Sequence, residues 1–150
     1  MTRARNTTLM VVGAIAVVLS ASQPAVAETP IKKLMGENFG GLQTILYALI
    51  SANYSAVPSQ ADVISEHAAE LGEMIPDSAK AEREQFLAYA NNLSAHAKDM
   101  KAIAEELTKR DKERAESGTD YLREALASHY GGMVTMCVAC HNRYRPLPVQ

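Results

Sequence analysis

The sequence predicts an all-α fold, an antiparallel four-helix bundle, on three observations. No stretch beyond residue 27 alternates apolar and polar side chains for long enough to read as a strand. Four segments instead repeat apolar residues at three- and four-residue steps, and the breaks between them are short and rich in Pro, Ser, Asp and Gly. Amphipathic helices joined by short breaks pack best against their immediate neighbours in sequence, which makes those neighbours antiparallel.

The first element lies outside that bundle. Arg3 and Arg5 precede an apolar run from Leu9 to Leu19, followed by Pro24 and the small-x-small triplet Ala25-Val26-Ala27. That order describes a secretory signal peptide over residues 1–27, cleaved after Ala27. The apolar run is short for a bilayer span, which favours cleavage over anchoring and predicts no stable membrane insertion afterwards. Removing 27 of the 150 residues, Arg3 and Arg5 among them, takes the basic count from 15 to 13 against 17 acidic, a net charge of −4. Residues 28–150 then form one domain. A mildly acidic chain with no basic run or aromatic-interleaved patch excludes nucleic acid as an expected partner.

Within the domain, the first helix runs from about Pro30 to Asn53. Thr29 can cap it, and Pro30 suits the first helical position, where a missing N–H costs nothing. Ile31, Leu34, Met35, Leu42, Ile45, Leu46 and Leu49 form its apolar stripe. Gly40-Gly41 inside it permits either a kink or the close approach of a backbone or flat ligand. Tyr54 to Pro58 breaks the pattern. Ser59 and Asp62 resemble a capping box for a second helix to about Ile75, with Val63, Ile64, His67, Leu71 and Met74 inward. Pro76-Asp77-Ser78 ends it and can cap a third helix, about Ala79 to Lys109. That helix carries Phe86, Ala90, Leu93, Ala97, Met100, Ala104 and Leu107 along one side. A charged run from Lys109 to Glu116 closes with Gly118. The fourth helix starts near Thr119, carries Leu122, Leu126, Tyr130, Met133, Val134 and Cys137 inward, and stops at Pro146 and Pro148.

The chemistry sits near the end of that last helix, in Cys137-Val-Ala-Cys140-His141, a c-type haem attachment sequence. Helical positions i, i+3 and i+4 share a face, so both thiols and the imidazole point the same way. Each thiol can add to one haem vinyl group while His141 reaches the iron as proximal ligand. Other readings of the two cysteines fit less well. A thioredoxin-like pair calls for a βαβ setting, structural zinc calls for four ligands, and a plain disulfide leaves the adjacent histidine without a purpose. One covalently attached haem c is therefore expected, with export placing the protein in a bacterial periplasm. The sixth iron position must be filled from another helix, so Met133 and Met136 are poorly placed. Met35, Met74, Met100, His67, His96 and His129 stay open on spacing alone.

Two stretches resemble class II c-type cytochromes, the family that includes cytochrome c′. One is Cys137-Val-Ala-Cys140-His141-Asn-Arg143-Tyr144-Arg145, and the other is Lys33-Leu34-Met35-Gly36-Glu37-Asn38 early in the first helix. The resemblance implies a four-helix bundle with its haem motif near the C-terminus. It also implies that Met35 is the distal iron ligand, as in the family's low-spin branch. The five-coordinate branch places an apolar residue over the iron about one turn earlier, where this chain has Lys32. The family's arginine near a haem propionate is replaced here by Lys32 and Lys33. Arg143 and Arg145 are basic residues that can act electrostatically near the haem.

The expected function is electron transfer by a periplasmic monohaem cytochrome, docking transiently with redox proteins. The alternative is a five-coordinate haem protein of the cytochrome c′ type that binds NO or CO. A third reading, from another class, is a haem-free helical module using its thiols. No acid–base pair or nucleophile arrangement suggests an enzyme. As in relatives, the first and second helices could pair two copies into a homodimer.

Overall fold

The computed structural model describes residues 30–113 and 118–144. The signal-peptide expectation, the Thr29 cap, most of the Lys109–Glu116 run's C-terminal half, Arg145 and the terminal prolines lie outside those residues, as does the Ser78 side chain. Among the described residues the fold is entirely helical, with α1 over Pro30–Ile50, α2 over Val57–Glu73, α3 over Arg83–Lys112 and α4 over Asp120–Tyr144.

α2 ends at Glu73, two residues before Ile75, and α3 runs past Lys109 to Lys112. Three other boundaries differ from the expectations, each for a local reason. α1 stops short of Asn53 because Ala52 adopts a positive φ of 54°. Asn53 N–H then donates to Ala48 O at 2.9 Å and Ala52 N–H to Leu49 O at 3.3 Å. Those two bonds satisfy the helix's last carbonyls in a Schellman motif. α2 starts two residues before Ser59, directly after a 3₁₀ turn at Tyr54–Ala56, and Pro58 is taken into its first turn. Ser59 consequently does not cap; its Oγ lies 3.5 Å from Ala56 O. α3 begins at Arg83 rather than Ala79, because Asp77–Glu82 forms a 3₁₀ segment first.

Neighbouring helices run antiparallel, as pairs across each interface show. Between α1 and α2, Asn38 meets His67 and Gly41 meets Ile64. Between α2 and α3, Ser65 meets Ser94 at 2.9 Å and Asp62 meets Lys101 at 2.7 Å. Between α3 and α4, His96 meets His129 and Phe86 meets Tyr144. The central pair is α2 and α3; α1 rests mainly on α2, α4 rests mainly on α3, and α1 and α4 touch much less. Gly41 uses its missing Cβ to admit Ile64, 3.4 Å away, whereas Gly40 opens onto space. The glycine pair thus serves the packing of α2.

The main core gathers Ile45, Val57, Ile64, Met100, Leu107, Leu126 and Met133, all essentially inaccessible. Each such side chain contributes about 1.5–3 kcal/mol by leaving water. Every residue of the α3 stripe is buried, while Leu46 of α1 and Val63 of α2 turn outward at 42% and 37% exposure. A second, smaller cluster at the other end joins Leu34, Leu71, Ala79, Phe86 and Tyr144, with Met35, Met74, Tyr89 and Cys140 partly buried against it. No helix among the described residues is long and apolar enough to cross a membrane.

Candidate functional site

The site lies at that second end, where the start of α1 meets the end of α4. Helical spacing sets Cys137, Cys140 and His141 on one face of α4, and all three line a single cavity. Met35 and Asn38 of α1 form the opposite wall, one turn apart. Leu71 of α2, Phe86, Tyr89, Ala90 and Leu93 of α3 and Met136 of α4 complete it. The cavity measures about 30 Å³, room for a water-sized group only. The cavity lies between α1 and α4, which touch each other less than each touches its own sequence neighbour.

Across the cavity, His141 Nε2 and Met35 Sδ face each other at 3.5 Å, although 106 residues separate them in sequence. Both cysteines are free thiols and partly buried. Burial raises the pKa of each, and Cys140 is raised further by Cys137 beside it. A dithiol used for redox exchange needs the reverse, a thiol pushed down toward the thiolate.

The end of α4 is tied down by side chains. Tyr144 is buried, meets Phe86 edge-on at 5.5 Å and donates its hydroxyl to Glu82 at 3.2 Å. Arg143 grips the same carboxylate with two N–H groups, the longer bond being 2.7 Å. These hydrogen bonds, Arg143 first, hold the Glu82 carboxyl below its ordinary range. Arg143 is therefore engaged with Glu82, and the residues after the motif act as a clasp between α4 and the segment leading into α3.

The remaining sequence candidates are dispersed. Met100 and Met133 are fully inside the main core, away from the cavity. His96 and His129 pair with each other, Nδ1 to Nδ1 at 3.2 Å, and His96 packs its ring against Gly132. Met74 sits in the smaller cluster without lining the cavity. His67 stands behind the wall, its Nδ1 2.8 Å from Asn38 Oδ1. Asn38 is a wall residue that the apolar spacing passed over. Its signal was a polar side chain between Leu34 and Leu42, on the inward stripe of α1. Among the described residues no cluster of three or more His, Cys, Asp or Glu is placed to hold a bare metal ion. No family model, curated protein or solved structure matches the chain.

Proposed function

We propose that this protein is an exported monohaem c-type cytochrome that carries electrons. The observation that carries the reading is the opposition of His141 Nε2 and Met35 Sδ, 3.5 Å apart, within a cavity whose wall also holds both motif thiols. The two groups come from opposite ends of the chain, 106 residues apart. They are the two axial donors a low-spin haem iron takes, and Met/His ligation raises the reduction potential. The donor set fits haem in other respects: both thiols lie on the cavity wall, where each could add S–H across a vinyl group, and the surrounding walls are apolar.

In this reading Cys137 and Cys140 would hold haem c covalently, with His141 and Met35 as its iron ligands, and the bound haem would supply a one-electron couple. The chain itself supplies an imidazole and a thioether placed together, an apolar wall that excludes water, and the Glu82 clasp that ties down the helix carrying three of these four residues. Placement in a periplasm follows from the signal-peptide reading, and transient redox proteins are the partners. Pairing two copies through α1 and α2 would cover Phe39, Leu46, Ile50 and Val63, all exposed.

The test is a visible spectrum of the holoprotein matured in a periplasm. A low-spin spectrum is expected for the natural chain and a high-spin one for Met35→Ala. A high-spin spectrum of the untouched protein, with fast CO binding when reduced, would favour the five-coordinate gas-binding reading instead. A colourless product without haem's added mass removes both.

A further inference from the structure

We infer that Asn38 is the hydrogen-bond donor for a carboxylate of the tetrapyrrole, one of its two propionates, and that His67 is the positioning residue that aims it. The inference rests on the haem reading above and assigns a role that neither the attachment motif nor the axial ligands supply. Asn38 occupies a place on α1 that helical periodicity reserves for an apolar side chain, between Leu34 and Leu42. It is 3% exposed, and its Nδ2 is the one buried side-chain nitrogen or oxygen among the described residues with no hydrogen-bond partner. Such a donor left unsatisfied costs about 1–3 kcal/mol. The cavity it lines is therefore short of an acceptor.

The amide's orientation is set from behind. Asn38 Oδ1 carries no hydrogen, so the 2.8 Å contact requires His67 Nδ1 to donate. That turns the NH2 end away from His67. The other ring nitrogen of His67 lies 3.5 Å from the Glu37 carboxylate.

The supply of rival donors points the same way. No lysine or arginine lines the cavity. Lys33 lies out in solvent, 69% exposed and 3.7 Å from Glu37, and Arg143 is held by Glu82. A propionate brought into this end needs a donor, and Asn38 needs an acceptor.

Resonance Raman of the holoprotein tests this through the haem propionate bending bands, which respond to hydrogen bonding at the carboxylate. Asn38→Leu is near in volume and removes the orphaned donor, so the fold should be retained. One propionate band should shift, while the near-infrared band reporting the Met35 ligand stays in place. His67→Leu, which leaves Asn38 present but unlatched, should move the same band in the same direction by less. Propionate bands unchanged in Asn38→Leu overturn the inference. So does movement of the methionine band alone, which would assign the amide to the Met35 sulfur. Because each comparison is made on coloured, haem-bearing protein, these failures leave the electron-carrier reading standing; a natural chain without haem overturns both.

Discussion

The two ends of the bundle are built on different rules. At the Leu126 end, aliphatic side chains from all four helices interlock, and Ile45, Met100, Leu107 and Leu126 have no measurable exposure. Every group there is satisfied by another group of the chain. At the His141 end, the same four helices bring together two thiols, a thioether, an imidazole and a buried amide, and leave a small cavity among them. These groups satisfy little in one another. The difference teaches that the first end is a core in its own right, while the second is a partial core that keeps a cavity and an unpartnered amide nitrogen, the features the haem proposal draws on.

Truncating one methionine at each end gives the sharpest contrast. Met100→Ala empties a fully buried site and should cost about 2–5 kcal/mol in denaturant unfolding. Met35→Ala, at a half-buried wall residue beside existing free space, should cost the haem-free fold well under half of that. Equal losses would mean that the His141 end is an ordinary core, and the comparison would fail.

The clasp at the His141 end offers a pH test of how that end is held. The Glu82 carboxyl has a lower pKa folded than its ordinary 4.5, chiefly through hydrogen bonds from Arg143. A depressed folded value means the stabilisation is present above the ordinary range and is lost as pH falls through the folded one. Glu82→Gln should therefore lower the thermal midpoint modestly above about pH 4.5, and the gap to the natural protein should close as pH falls below that value. The pair is solvent-exposed, so the effect will shrink in high salt. A midpoint curve parallel to that of the natural protein across the acid range would show that the clasp does not hold α4.

How much of this was legible from the sequence differs between the ends in the same way. The α3 stripe was readable because one helix packed on both sides needs a strict apolar period, and each of its seven residues is buried. Leu46 and Val63 were misplaced because α1 and α2 carry more apolar residues than their contact faces can cover, and period alone does not say which turn outward. The early start assigned to α3 failed because proline and serine mark a chain break without distinguishing a 3₁₀ turn from an α-helical one. At the site, Cys137, Cys140 and His141 were visible because their geometry is local to one helix. Met35 came from resemblance, not from spacing. Asn38 and His67 were illegible as a pair, since their contact spans 29 residues and depends on the register between α1 and α2.

A smaller effect is expected at the turn leaving the closed end. Ala52 sits at φ 54° just past the end of α1, where a Cβ costs roughly 1–2 kcal/mol and glycine is tolerated freely. Ala52→Gly gives part of that back through greater freedom in the unfolded chain, so a net gain of about 0.5–1 kcal/mol is expected in denaturant unfolding. A loss would show that the Schellman turn does not form as described.

The smallest test sits where α4 passes from one end to the other, at two adjacent glycines. A Cβ on Gly131 would meet nothing within 4 Å, so Gly131→Ala should bring only the helix-propensity gain of about 0.5–1 kcal/mol. A Cβ on Gly132 would come within 2.6 Å of the His96 ring. That ring is half-buried and bonded to His129, so it must give up the 3.2 Å contact to make room. Gly132→Ala should lose the propensity gain against that displacement and come out less stable than Gly131→Ala by about 1 kcal/mol or more. Two alanines differing by one position and ranked by thermal midpoint thus report whether the imidazole pair pins α3 to α4 between the closed end and the site. Equal midpoints would mean that His96 swings aside freely, and that the main core and the Glu82 clasp do the fixing of the helix that carries Cys137, Cys140 and His141.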